Sequence, residues 1–308
     1  LGAVLEVVGP VFVIIGLGWA MARRSFIDAP GFAALNRFVF TFCAPSLLFL
    51  GGTTGAGGGG RAALAFFLGT AVLYAGVLVL ARRRMPLGRA GMLALDATFG
   101  NTVMMGIPLI LAAFGQAALA MLLAILALHS MLLLGTATVV AEIGLHAQAP
   151  WRRVLRATLL GVARNPIVMA VLAALVWRLV GLPPPPGVVR QTLSLLGGAA
   201  PPVALFCLGG SLARFDVASA WRETVVATVL KLLAMPALVA LVGAAMGLDQ
   251  LEMAVAVTAA ALPTGANAFL LAERYRIGAA RSGATVLAST LLSVVTLAGM
   301  LAWFGVGW

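Results

Sequence analysis

Apolar runs of about 20 residues, parted by short polar or basic breaks, recur along the whole chain. A helix needs about 20 such residues to cross a bilayer. Ten runs qualify: 4–22, 32–50, 62–81, 90–112, 117–141, 165–182, 190–213, 223–246, 251–273 and 282–305. They predict an all-α polytopic membrane protein of about ten transmembrane helices. The first run is too long and too weakly cleavable for a signal peptide and is taken as the first span. No polar stretch is long enough for a separate soluble domain.

Composition agrees with the pattern. Of 308 residues, 62% are hydrophobic and 9% charged, with a mean hydropathy of +1.10. A soluble domain carries about 25% charged residues. The net charge of +11 would fit a nucleic-acid binder if it formed one patch, but 15 of the 20 basic residues fall in the odd-numbered connections. These are Arg23, Arg24, Arg82, Arg83, Arg84, Arg89, Arg152, Arg153, Arg156, Arg164, Arg214, Arg222, Arg274, Arg276 and Arg281. The even-numbered connections hold only Arg61, Arg178 and Arg190, while Arg37 and Lys231 lie inside spans. Positive charge gathers on the cytoplasmic side, so the odd connections are predicted to be cytoplasmic and both termini outside. An even number of spans satisfies the same condition.

The longest connection, Glu142–Arg164, contains Trp151-Arg152-Arg153-Val154-Leu155-Arg156. Its basic face and single Trp suit a short helix lying on the membrane surface. It separates residues 1–141 from 165–308, each with five runs. Gly51–Gly60 reads as a flexible outer loop and Pro183–Pro186 as a stiff one. Cys43 and Cys207 sit in apolar runs and read as small core residues.

Shifting the chain by 156 positions lays Pro10 on Pro166, Pro30-Gly31 on Pro186-Gly187, and Pro45 on Pro201. Asp96 falls on Glu252, and Pro108 falls one residue from Pro263. Five spans per half is an odd number, so the second half enters the membrane from the opposite side. The expectation is two inverted five-helix repeats, the plan of an alternating-access carrier.

The fourth and ninth spans read as broken, crossing helices. The fourth contains Phe99-Gly100-Asn101-Thr102-Val103-Met104-Met105-Gly106-Ile107-Pro108, the ninth Ala261-Leu262-Pro263-Thr264-Gly265-Ala266-Asn267-Ala268-Phe269. Proline removes one backbone donor and clashes with the carbonyl four residues earlier. Freed backbone groups persist at membrane depth only inside protein or beside a wet cavity. Asn101, Thr102, Thr264 and Asn267 add polar groups there, and half-helix N-termini suit a carboxylate. Either span alone reads as a proline kink repaired by Ser, Thr and water. Two matched spans with Asn beside each break favour a substrate site.

At these residues the sequence resembles the auxin efflux carrier family, which includes plant PIN-type exporters and bacterial malonate-permease-like members. The resemblance runs through Asn36-Arg37-Phe38 with Ala44-Pro45-Ser46-Leu47-Leu48, then Gly100–Leu109, which is its most specific segment. It continues through Arg164-Asn165-Pro166, Lys231-Leu232-Leu233-Ala234-Met235-Pro236, Ala261–Gly265 and Ala272-Glu273-Arg274-Tyr275. The resemblance implies ten spans, a helical crossover at Pro108 and Pro263, a homodimer, and an organic anion held near the crossover. In plant members the asparagine matching Asn101 contacts the auxin carboxylate, so the resemblance gives Asn101 that role. Asn165 carries over less firmly, because it also suits a helix N-cap before Pro166. Two family features are missing: Arg61–Leu80 contains no acid, and there is no long cytoplasmic loop. A small mono- or dicarboxylate fits better than auxin.

Charges inside spans are costly and usually have a task. Lys231, the only lysine, either offsets the substrate's charge or pairs with an acid. Asp96 is a proton or cation site, or a partner for Arg or Lys. His129 is a titrating group or, more simply, a hydrogen-bonded packing residue. Glu6 and Glu252 read as interfacial.

The expected substrate-binding set is thus Asn101, Thr102, Pro108, Pro263, Thr264, Asn267, Asn165 and Pro45, with Asp96, Lys231 and His129 for coupling or charge compensation. The expected function is secondary active or facilitative transport of small organic anions across a bacterial cytoplasmic membrane. The partners are that anion and the bilayer, with no nucleic acid, and with proton or sodium coupling open. A sodium-coupled carrier resembling the bile-acid symporters is the rival within the class, with oxygen ligands from Asn101, Thr102, Thr264, Asn267 and freed carbonyls. From other classes, a non-transporting sensor or an intramembrane enzyme is the alternative. The chain shows no zinc-protease, nucleophile-elbow or phosphate-loop motif, so no catalytic residue, metal or cofactor is expected.

Overall fold

In a hydrocarbon environment each chain segment must satisfy its own backbone polar groups, and the apolar runs do so by closing into helices. The computed structural model describes residues 2–54, 59–145, 166–213 and 220–306, without the side chains of 2–8, 54, 131, 145, 167, 168 and 171. The basic surface segment 151–156 and Asn165 lie outside the described residues.

The described helices are α1 (Gly2–Arg23), α2 (Ala29–Phe38), α3 (Ala44–Thr54), α4 (Gly60–Arg82), α5 (Leu87–Thr98) and α6 (Ile107–Leu145), followed by α7 (Pro166–Leu179) and α8 (Gly187–Leu212). Then come α9 (Trp221–Val229), α10 (Met235–Ala245), α11 (Gln250–Ala261), α12 (Ala266–Tyr275) and α13 (Ala279–Trp303). Six helical stretches among the described residues are long and apolar enough to cross a membrane: Ala29–Thr53, Gly60–Arg82, Thr102–Gly144, Gly187–Leu212, Trp221–Ala245 and Ala279–Trp303. α6 is two helices joined at Gly115, whose φ of 76° and ψ of −167° turn the chain where the hydropathy pattern divides runs four and five. Side chains rarely adopt that conformation, and glycine does so without steric cost.

Three prolines are absorbed in one way. A π-helical turn occupies Val39–Cys43, Thr102–Gly106 and Leu230–Ala234. Each is followed, one residue on, by Pro45, Pro108 or Pro236. In each turn the residue before the proline bonds five back: Ala44 to the Val39 carbonyl, Ile107 to Thr102, Met235 to Leu230. The wider turn moves away the carbonyl that the proline ring would strike. This corrects the expectation for Pro108. The helix continues through it, and the chain unwinds seven residues earlier, around Phe99–Asn101.

The buried apolar side chains form two cores. One lies mainly among α4, α5, α6, α10, α11 and α12. The other joins α1, α2, α8 and α13 and takes in Met104, Met105, Leu109, Ala261 and Leu262. Phe99, Ala259 and Ala260 belong to the first core, so the boundary between the cores passes through the two breaks. Cys43 and Cys207 are unpaired and buried, one in each core.

In the second core α1 and α8 meet backbone to backbone. A Cβ on Gly18 would lie 1.9 Å from the Phe206 carbonyl oxygen, and one on Gly209 the same distance from that of Ile15. Small residues at such crossings let membrane helices approach closely.

Charge fastens one end of the first bundle. Asp96 and Arg281 are buried, and the Arg281 Nε donates to Asp96 Oδ2 at 2.9 Å. Ser282 Oγ donates to the same oxygen at 2.9 Å. Arg281 Nη1 reaches Glu223 at 3.1 Å, and Arg89 Nη2 reaches that carboxylate's other oxygen at 2.6 Å. This chain of charges ties α5, α9 and α13 together and gives Asp96 an arginine partner. It also moves Arg281 from the connection expected before the tenth span into the buried first turn of α13. At the opposite end of α4, Arg61 donates to the carbonyls of Met246 and Gly247 at 2.7 Å each. It also lies 3.5 Å from Glu252, the third residue of a capping box with Asp249 at the start of α11.

Two stability predictions follow from these contacts. Gly209→Ala should lower unfolding free energy by at least about 2 kcal/mol, because backbone blocks the new methyl group. Gly299→Ala, where nothing lies within 4 Å, should be neutral or slightly stabilising in the same denaturation assay. Arg281→Met should cost about 3–5 kcal/mol by leaving Asp96 buried without a cation. Adding Asp96→Leu should recover most of that loss in a double-mutant cycle.

Candidate functional site

α5 and α11 are each 12 residues long. They lie 163 positions apart at both ends: Leu87 with Gln250, and Thr98 with Ala261. The structure therefore matches the two breaks at that spacing and not at the offset of 155 between Pro108 and Pro263. α5 begins just past the Arg82 end of α4, whereas α11 begins beside Arg61 at the other end. At 1.5 Å per residue each covers about 18 Å, roughly half the length of α4. The two helices therefore run toward each other and stop at mid-length.

They stop in register. Gly100 and Thr264 form an isolated antiparallel bridge. Asn101 N donates to the Pro263 carbonyl at 2.8 Å, and Gly265 N donates to that of Phe99 at 3.0 Å. Side chains complete the pairing. Thr264 Oγ1 donates to the Asp96 carbonyl at 2.8 Å, and Ser289 Oγ of α13 accepts from Thr264 N at 3.0 Å. His129 lies near the rings of Phe66 and Phe99, at 5.6 and 4.7 Å between centroids. Its Nε2 stands 3.2 Å from the Gly100 carbonyl. A carbonyl only accepts, so Nε2 carries the proton and Nδ1 is left without a partner. Lys231, fully buried, donates from Nζ to the Ala260 carbonyl. His129 is thus hydrogen-bonded and packed against two aromatic rings, and Lys231 has no carboxylate partner among the described residues.

Past the breaks, new helices begin: the π turn at Thr102 leading into α6, and α12 at Ala266. Asn101 stands at the N-cap of the π turn, yet its side chain makes no capping bond. Its Nδ2 is buried and bonds to nothing, and such a donor costs about 1–3 kcal/mol.

The other expected site residues separate. Thr102, Pro108, Pro263 and Thr264 are buried at or beside the breaks, whereas Asn267 is exposed on α12 and Pro45 is half-buried on α3. Thr264 is occupied with holding the breaks. Ser282 and Ser289 escaped the sequence reading. Their signal was the helical spacing of Ser282, Thr285, Ser289 and Ser293, which puts one polar stripe on the buried face of α13. Among the described residues no cluster of three or more His, Cys, Asp or Glu side chains is disposed to hold a metal.

Comparison with known proteins identifies the family. A family profile described as "Membrane transport protein" matches residues 3–301. A protein of Rhizobium meliloti (strain 1021) named "Putative malonate transporter" is 30% identical over 305 residues, covering 95% of this chain and 93% of that protein. "Auxin efflux carrier component 3a" of Oryza sativa subsp. japonica is 30% identical over 149 residues, covering 47% of this chain and 23% of the rice protein. The helical fold with its apolar spans, the profile match across nearly the whole chain and the full-length similarity place this protein in the membrane transport protein family to which the auxin efflux carriers belong.

Proposed function

We propose that the protein carries small organic anions, mono- or dicarboxylates of malonate size, across a bacterial cytoplasmic membrane by alternating access. The observation that carries this reading is the buried, unpartnered amide nitrogen of Asn101 beside the paired breaks. Other buried atoms near the breaks also lack partners, among them Nδ1 of His129 and Oδ1 of Asp96, but Asn101 Nδ2 is the one side-chain amide donor among them and stands at the head of a new helical turn. A carboxylate oxygen would accept from Asn101 Nδ2 and face the partial positive charge at the start of the Thr102 turn and of α12. The similarity to a protein named as a malonate transporter supports the substrate class.

In this reading the chain has ten spans in two inverted repeats, with α5–α6 and α11–α12 crossing at the breaks. The basic connections face the cytoplasm, both termini lie outside, and two copies form a homodimer. The core built on α4, α5, α6, α10, α11 and α12, with α13 tied to it through Asp96–Arg281 and Thr264–Ser289, moves against α1, α2 and α8 of the second core. The breaks lie on the boundary, so the site opens first to one side and then to the other.

A hydrogen bond to a charged group contributes about 1.5–3 kcal/mol, which corresponds to about a 10- to 150-fold change in affinity. Asn101→Ala should therefore weaken stabilisation of the purified protein by malonate or a related dicarboxylate by at least tenfold in half-saturating concentration, with the unliganded melting temperature little changed. An unaltered ligand response would take Asn101 out of the site.

A further inference from the structure

The end of α11 leaves three carbonyls without the donors that a continuing helix would bring. Ala259 would be served by residue 263, which is proline and has no N–H. Ala260 loses the Thr264 N–H to Ser289, and Ala261 loses the Gly265 N–H to the Phe99 carbonyl. α5 ends similarly. The Asp96 carbonyl takes the Thr264 hydroxyl in place of a helical donor, and Ala97 loses the Asn101 N–H to Pro263. Each helix C-terminus carries roughly −0.5 of an elementary charge. The two together place about one negative charge at mid-length of the molecule, away from water.

Lys231 enters this spot from the π turn between α9 and α10. Its Nζ donates to the Ala260 carbonyl. It stands 3.6 Å from the position a Cβ on Gly100 would take, and the Ala259 carbonyl oxygen stands 3.5 Å from the same position. One ammonium, one orphaned carbonyl and the break of the opposing helix therefore share one small volume. Asp96, the buried acid of α5, is committed to Arg281 and Ser282.

We propose that the Lys231 ammonium is a built-in monovalent cation for these two helix ends. It occupies the oxygen-lined place that a mobile sodium ion would otherwise fill, and it frees the protein from needing one. The inference deepens the transporter reading, since sodium-independent flux is its consequence. Its effect on cation binding stands apart from substrate identity.

The test compares melting curves of the purified full chain in sodium chloride and choline chloride at equal ionic strength. Wild type should melt at the same temperature in both salts. Lys231→Ser removes the ammonium and leaves a hydroxyl beside the orphaned carbonyls. It should melt lower than wild type in choline and gain roughly 3 °C with sodium at ten times its dissociation constant. Lys231→Met, which fills the space with an apolar chain, should show no such gain. Sodium-specific stabilisation of wild type, or a folded Lys231→Ser variant indifferent to sodium, would overturn the inference. If Lys231→Ser does not fold, the wild-type comparison decides alone, together with malonate counterflow in proteoliposomes with and without sodium. Sodium-dependent counterflow contradicts the tethered cation, and equal counterflow in both salts supports it. Absent flux with the cation response intact would count against the substrate assignment and leave this inference standing.

Discussion

Two helices that end in the middle of an apolar bundle expose backbone groups where no water can reach them, at several kcal/mol for each group left unpaired. The rest of the structure is arranged around meeting that cost. α5 and α11 end against each other, so that Asn101 bonds Pro263 and Gly265 bonds Phe99. Three more of the groups are taken by side chains reaching in from further helical segments: His129 on α6, Lys231 in the π turn before α10, and Ser289 on α13. Thr264 uses both its backbone and its hydroxyl for the same purpose. A helix broken alone would have to be rescued entirely by its neighbours. Two broken helices rescue each other, which is why the breaks occur as a pair.

This arrangement separates the ends of the half-helices by charge. The C-terminal ends of α5 and α11 face a lysine, and the N-terminal ends of the following helices begin beside Asn101 and Gly265. Positive and negative helix ends thus lie within a few residues of each other. On the proposed reading an anion and a cation each find a suited position beside the breaks, the cation supplied by the chain itself. The buried bond between Asp96 and Arg281 holds α5 in place from behind, so its end is fixed in position against α11.

Much of this was legible in the sequence. Runs of 20 apolar residues marked the helical segments, and Asn101 with Pro263 marked the breaks within a residue or two. The turn at Gly115 fell between two apolar runs. The location of the first break did not follow from proline chemistry. Pro108 is accommodated by a π turn, and only a structure distinguishes a widened helix from an unwound one. The prolines align at an offset of 156, with Pro108 and Pro263 one residue off it, whereas α5 and α11 are related by 163. The fates of Asp96, Arg281 and Lys231 were equally invisible. Asp96 and Arg281 are 185 positions apart, and no local pattern tells which buried charge meets which partner. The polar stripe on α13 was readable from spacing but was masked by the apolar residues around it.

The central claim is that the paired breaks line an anion site reached alternately from both sides. Ala266 stands at the start of α12 beside the breaks and is half-buried, while the native Cys43 and Cys207 are buried and unpaired. The most direct test introduces Ala266→Cys and measures its modification by a membrane-impermeant thiol reagent applied to each face of oriented vesicles. The account predicts reaction from both faces and protection by malonate or a related dicarboxylate. Reaction confined to one face, at a rate the anion does not change, would contradict it.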